Sequence, residues 1–396
     1  MPAPKPASLA DMLRRHITEN GPIGVDDYME MCLGGAGFGP GTEGYYHSRD
    51  PLGAGGDFTT APEISGLFGE MCGLYLAHMY EIANASNKAP DTGPDTGPDT
   101  GPDTGPDTGP ADSMVIELGP GRGTLMRDMR GVWARLMPGL AEAPLHLVET
   151  SPSLRRAQDA ILGTEAVTGW HDDVETALAA SDGPLFGIAN EFFDALPAAQ
   201  LVFEDGAWHR RMVGLRDDHL GFVTGAVADN LDPELPQAPT DGMVAELCPQ
   251  ASHIVSLLGR ALARRGGAVL IVDYGRQGNP GHSLQAVADH RPVDLFAAPG
   301  DSDISHWVDF AALGRAANEA GARLLGPVPQ GRFLMRIGLA ARAEQAAQHA
   351  APEERRALLA AIDRLTSPAQ MGEVFKAALL LPPGTGIPPG FESDEA

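Results

Sequence analysis

The stretch Val115-Ile116-Glu117-Leu118-Gly119-Pro120-Gly121-Arg122-Gly123 limits the possible folds more than any other part of the chain. A short apolar run bounded by turn residues reads as a strand buried on both faces. Three glycines at alternate positions then make a tight turn, where a Cβ would clash with anything lying against the backbone. Helical periodicity follows over 124–136. Strand, glycine turn and helix in that order open a βαβ unit. The alternation continues, with strands expected at 145–149, 166–168 (weak), 185–190 and 268–274 and a helix over 151–162. This pattern predicts an α/β fold, a mostly parallel sheet covered by helices on both faces.

The rest of the chain arranges itself around that sheet. Residues 1–85 read as a helical N-terminal cap with a Gly-rich loop; its helices are expected over 8–20, from Val25 onward and over 65–83. Residues 86–111 hold five tandem copies of Asp-Thr-Gly-Pro, with nothing apolar in the repeat to bury, and read as a solvated linker. Its aspartates lack the spacing of a calcium loop. The first part of the sheet domain spans 112–199 and the second 250–345. Between them, 200–249 reads as an inserted substrate-side element, beginning with a hairpin turned at Asp205-Gly206. Residues 322–325 and 333–337 are expected to pair as a terminal antiparallel hairpin, and 346–396 to form a C-terminal helix and tail.

Charge narrows the function. The 396 residues include 28 basic and 53 acidic side chains, a net charge of −25. A phosphate-binding surface needs clustered Lys and Arg, so nucleic acid is disfavoured, as is an anionic membrane surface. A cationic partner remains open. Cys32, Cys72 and Cys248 lie far apart with no C-x-x-C pair, which argues against a disulfide scaffold or a structural zinc and for a reduced compartment. No run approaches the ~20 apolar residues of a membrane span, and the first residues lack a leader's apolar segment.

The glycine spacing separates two ligand classes. A dinucleotide turn reads G-x-G-x-x-G, and here the third glycine comes one residue early, with Thr at 124. The form E-x-G-x-G-x-G is instead the pattern of class I S-adenosylmethionine methyltransferases. Glu149 ends the second expected strand, where an acid accepts charge-assisted bonds from both ribose hydroxyls; a plain surface acid is the alternative. In Trp170-His171-Asp172-Asp173 an acid can meet the adenine amino group and Trp170 can stack on the ring, or the acids simply cap a helix. Asn190-Glu191-Phe192-Phe193-Asp194-Ala195-Leu196-Pro197 ends the fourth strand and presents two acids and an amide suited to a cationic acceptor, unless these are core Phe and capping residues.

Several segments together resemble one family: Gly56-Asp57-Phe58-Thr59-Thr60-Ala61-Pro62-Glu63-Ile64-Ser65, the glycine turn, Val148-Glu149-Thr150-Ser151-Pro152, the Asn190–Pro197 segment, Asp273-Tyr274-Gly275, and stretches at 299–310 and 371–376. They are similar to the MidA-like methyltransferases, a bacterial and mitochondrial family that includes a complex I assembly factor acting as a protein arginine methyltransferase. The resemblance covers nearly the whole chain; the Asp-Thr-Gly-Pro tract departs from it. It implies a class I Rossmann-like fold, S-adenosyl-L-methionine as cofactor, no metal, and symmetric dimethylation of an arginine on a protein substrate such as a complex I subunit. It implies that Gly119, Gly121, Gly123 and Glu149 hold the cofactor with Glu117, Thr60 and Asp172 beside them. The loop 57–60 would close over the site, and Asn190, Glu191 and Asp194 would face the acceptor, with Asp57 in reserve. The expected compartment is the cytoplasm in a bacterium or the mitochondrial matrix in a eukaryote; the oligomeric state is left open, a homodimer included. A small-molecule methyltransferase and a non-catalytic cofactor-binding assembly protein are the alternatives.

Overall fold

Seven strands build the central sheet in the computed structural model, which describes residues 8–34, 44–48, 60–87, 113–229, 235–236, 238–279, 281–348 and 350–392. In chain order they are β1 (Met114–Leu118), β2 (Leu145–Val148), β3 (Gly169–His171), β4 (Leu185–Asn190), β5 (Gly267–Arg276), β6 (Arg323–Pro329) and β7 (Phe375–Leu381). They lie in the order β6-β7-β5-β4-β1-β2-β3, and the two-residue strand Val308–Asp309 pairs parallel with the end of β5. Neighbours from β3 to β5 run parallel, while β7 is antiparallel to both β5 and β6. Strand order reverses between β1 and β4, which opens a crevice beyond their carboxyl ends. The register aligns those ends. Leu118 pairs with Val148 and Ala189, Val148 with His171, and Asn190 with Val272. Gly119, Glu149, Asp172 and Glu191 therefore leave the sheet along one edge, level with Asp273 of β5.

Alternation along each strand divides the core in two. Val115, Leu147, Ile188, Leu270 and Leu379 face the helices Gly66–Asn87 and Thr124–Leu136. Ile116, Leu118, Ala189, Ile271 and Leu380 face the helices Pro249–Arg265 and Phe310–Glu319. Trp133 pins the first pair of helices together, its indole N–H donating to Gly73 O at 2.8 Å. Both faces of the strands are thus covered, as the uninterrupted apolar runs require.

A second body sits beside the crevice. Helix Leu9–Asn20 starts at Ser8, whose hydroxyl accepts from Asp11 N, and helix Val25–Gly34 follows. Between them Ile23–Gly24 pairs antiparallel with Ala207–Arg216. That strand forms the expected hairpin with Ala199–Glu204, turned by Asp205 and Gly206 at φ 51° and 81°, the pair of positive values a two-residue turn needs. N-terminal helices and insertion therefore share one five-stranded sheet. Their core also takes in Ala286 and Ile304 of a small three-stranded sheet, Gln285–Ala288, Arg291–Val293 and Asp303–Ser305.

Two local expectations are corrected. The run 333–337 is not a strand; it falls in and just after helix Gln330–Arg336. Phe333 and Leu334 are buried and Met335 is 49% exposed, a helical rather than alternating burial pattern. The antiparallel partner of β6 is instead β7, from the stretch 346–396 for which only a helix and a tail were expected. The third strand lies at Gly169–His171, not 166–168, because Thr164–Ala166 forms a turn of 3₁₀ helix.

Candidate functional site

The crevice is a cavity of about 880 Å³ running from the glycine turn to the end of β4 and on to the three-stranded sheet. At the glycine end, Gly119, Gly121 and Gly123 have φ of 61°, 53° and 88°, left-handed values that disfavour a side chain. A Cβ on Gly119 would also lie 2.9 Å from Phe192 Cδ2. Behind the turn, buried Gln158 joins three elements. Its Nε2 donates to Gly121 O at 2.7 Å and to Glu149 Oε2 at 3.3 Å, and its Oε1 accepts from Trp170 Nε1 at 2.8 Å. Ser151 N donates to Glu149 Oε1 at 2.8 Å. Each Glu149 oxygen is thus oriented by one bond and keeps a lone pair for a further donor. Burial raises the Glu149 carboxyl, with the Ser151 and Gln158 bonds opposing. Glu117 is 2% exposed, its Oε2 has no hydrogen-bond partner among the described residues, and burial pushes it up to about 8.

The other end gathers acids. Glu191 leaves β4 at φ 51°, uncommon for a side-chain-bearing residue. Its Oε1 accepts from Ala61 N at 3.0 Å and from Asn190 Nδ2 at 3.2 Å. Burial is the main cause that lifts it to about 7. Asp194 is held well above the usual carboxylate range by burial first, then by the charges of Asp273, Asp303 and Glu191. Its Oδ1 and the Asn190 Oδ1 are buried without a hydrogen-bond partner among the described residues. Asp273 is fully buried and spent on structure: Phe192, Phe193, Asp194 and Tyr274 all donate backbone N–H to it, at 2.9–3.4 Å. It fixes the turn that carries Glu191 and Asp194. A short helix, Ala61–Ile64, spans the two ends of the cavity: Ala61 N bonds Glu191, and Glu63 Oε1 accepts from Thr124 Oγ1 at 2.8 Å.

The structure brings most of the expected site residues to this cavity. Thr60, Glu117, Gly119, Gly121, Glu149, Asp172, Asn190, Glu191 and Asp194 all line it. Gly123 does not; it begins helix Thr124–Leu136 and a Cβ there would press on Leu162. Asp172 is largely exposed and ion-paired to Arg155 at 2.6 Å, while Asp173 caps helix Val174–Leu178 by accepting from Thr176 N. Trp170 is not among the lining residues; it packs into the core with its N–H on Gln158. Asp57 and residues 58–59 of the expected closing loop lie outside the described residues. Tyr46, Gln158, Asp303 and Arg364 carried no expected role. All but Gln158 line the cavity, and their only signal was the company of motif residues.

A glycine turn at the carboxyl end of β1, an acid ending β2 with lone pairs in hand, and a second buried acid beside it suit a cationic nucleoside ligand. Together with the sheet order they define a class I methyltransferase. Residues 104–328 match the family described as S-adenosyl-L-methionine-dependent methyltransferase. The chain is 33% identical over 408 residues to the mitochondrial protein arginine methyltransferase NDUFAF7 homolog of Drosophila melanogaster, covering 95% of this chain and 85% of that one. It is 32% identical to the human protein arginine methyltransferase NDUFAF7, covering 92% and 81%. A crystal structure from Burkholderia thailandensis bound to S-adenosyl-homocysteine superposes with a TM-score of 0.73 and 26% identity, covering 99% of this chain and 96% of that one. The chain belongs to the MidA-like family of S-adenosyl-L-methionine-dependent methyltransferases. No helix among the described residues is long and apolar enough to cross a membrane.

Proposed function

We propose that this methyltransferase modifies an arginine of a protein substrate, dimethylating it symmetrically, and that the substrate is a subunit of respiratory complex I. The observation that carries the arginine assignment is the acceptor end of the cavity. It offers buried oxygens of Asp194 and Asn190, without a hydrogen-bond partner among the described residues, beside the half-buried Glu191. A guanidinium has five N–H donors in a planar fork and no acceptor, so it complements the acceptor oxygens gathered there. The names of the Drosophila and human relatives support the same acceptor. The proposed compartment is the cytoplasm in a bacterium and the mitochondrial matrix in a eukaryote.

In this reading Glu149 accepts the ribose hydroxyls, Glu117 takes a cationic group of the cofactor, and the glycine turn lets the ligand lie against backbone. Asp172 sits at the adenine end. The bound cofactor supplies a methyl group on a sulfonium. The chain's own residues hold a guanidinium nitrogen in line with it, and alignment is most of the catalysis. Glu191 and Asp194 fix the guanidinium plane and stabilise its charge. As the C–N bond forms, the nitrogen sheds a proton. Glu191 Oε1 is already committed to Ala61 and Asn190, so Oε2 receives it, and a carboxyl near 7 suits that transfer.

The test incubates the protein with methyl-labelled S-adenosyl-L-methionine and a cell extract divided into proteins and metabolites. Label on protein arginine supports the proposal. Label only on metabolites supports the small-molecule alternative, and no transfer with intact cofactor binding supports a non-catalytic role.

A further inference from the structure

The acceptor end has a wall contributed from outside the Rossmann-like sheet. Strand Asp303–Ser305 pairs antiparallel with Gln285–Ala288, placing Val287 opposite Asp303, Ala286 opposite Ile304 and Gln285 opposite Ser305. Alternation sends the two sets to opposite faces. Ala286 and Ile304 enter the core under the N-terminal helices, whereas Gln285, Val287, Asp303 and Ser305 line the cavity. Asp303 is only 9% exposed, and its charge reaches both Asp194 and Glu191, helping to hold each carboxyl up. A third acid, on a separate element whose neighbour His306 donates its N–H to the Asp194 carbonyl at 3.0 Å, thus joins the two on the β4 turn.

Its placement depends on Tyr46. The Tyr46 hydroxyl donates to Asp303 Oδ1 at 2.8 Å, and the Tyr46 carbonyl accepts from Ser151 Oγ at 2.9 Å. Ser151 is fully buried, and its own N–H is one of the two donors that orient Glu149. A chain of bonds therefore runs from the acid expected at the ribose, through Ser151 and Tyr46, to Asp303 at the acceptor site.

We infer that Asp303 completes the substrate clamp as a third carboxylate contacting the guanidinium, and that Tyr46 is its positioning residue, linking occupancy of the cofactor side to the shape of the acceptor side. This rests on the arginine reading above. Three carboxylates from two elements can engage more of a guanidinium's five N–H donors than the two on one turn. Because Tyr46 touches both sides, cofactor and acceptor should strengthen each other's binding reciprocally.

The test is calorimetric titration of the full chain with Nα-acetyl-arginine amide and with Nα-acetyl-lysine amide, each with and without saturating S-adenosyl-homocysteine. The wild type should bind the arginine compound more tightly when S-adenosyl-homocysteine is present, by about fivefold or more. Asp303→Asn keeps an oxygen for the Tyr46 hydroxyl but removes the charge; it should weaken arginine binding by about tenfold or more. Tyr46→Phe should abolish most of the enhancement, and both variants should bind S-adenosyl-homocysteine alone within about twofold of the wild type. Arginine binding that ignores Asp303→Asn overturns the clamp and leaves the arginine reading standing. Coupling that survives Tyr46→Phe, or is missing from the wild type, overturns the role of Tyr46. Binding of only the lysine compound, lost with Asp303→Asn, keeps the clamp and overturns the arginine reading; binding of neither compound overturns both.

Discussion

Glu191→Gln separates catalysis from stability. Glutamine keeps an oxygen to accept from Ala61 N and Asn190 Nδ2, so the contacts at 3.0 and 3.2 Å survive and the fold should hold. What disappears is a charge and a proton acceptor. Losing a charge-assisted bond to the substrate costs about 1.5–3 kcal/mol, and losing a placed base costs about a hundredfold or more in rate. Turnover should fall at least about a hundredfold while affinity for S-adenosyl-homocysteine stays within about twofold. Stability should move the other way. Carrying the carboxyl from 4.5 to about 7 corresponds to a penalty of at most about 3 kcal/mol in the ionised folded protein. An acid raised on folding is neutral in both states at low pH. Its penalty grows as pH climbs from about 4.5 to 7 and is complete above that. Glu191→Gln should therefore melt at nearly the wild-type temperature at pH 4.5 and a few degrees higher at pH 8. The assays are single-turnover methyl transfer and thermal melts across pH. Unchanged turnover, or a variant melting below the wild type at pH 8, would refute the reasoning.

Glu117→Gln should alter the pH dependence of cofactor binding. The Glu117 carboxyl, raised to about 8, must lose its proton to pair with a cation, so wild-type affinity should rise with pH up to about 8, and titration in buffers of different ionisation enthalpy should show proton release. The variant should lose much of that release, with the raised Glu149 accounting for the remainder. Gln158→Leu strands the Trp170 N–H and one Glu149 oxygen; unfolding by denaturant should show a loss of about 2–4 kcal/mol, and S-adenosyl-homocysteine affinity should drop about tenfold. Gly119→Ala places a Cβ 2.9 Å from Phe192 at a left-handed φ, so melting should show destabilisation of about 1–2 kcal/mol together with weaker cofactor binding.

What the sequence disclosed follows from the reach of its signals. The glycine turn, β1, β4, β5 and the helices at 124–136 and 151–162 were legible because each is a local pattern, a buried apolar run or a 3.6-residue period. The Asp205-Gly206 hairpin was legible for a similar reason, since its turn chemistry is contained in two residues. β7 was not, because Phe375–Leu381 is rich in Ala and Leu, which also favour helices, and only its place between β5 and β6 makes it a strand. Of the site, the residues directly after parallel strands could be anticipated, since topology brings strand ends together. Tyr46 and Asp303 could not: the hydroxyl and carboxylate that meet at 2.8 Å are 257 residues apart. Gln158 looked like any polar residue of an amphipathic helix, and Trp170 like a stacking platform, until their shared bond placed both behind the cofactor wall.

The central claim is that this cavity transfers a methyl group to protein arginine. Quantitative mass spectrometry of arginine methylation, in cells with and without the gene, tests it most directly. The account predicts symmetric dimethylarginine missing at one or a few sites in the deficient cells, restored by the wild-type protein and not by Glu191→Gln. An arginine methylation profile identical in both cell lines would contradict it.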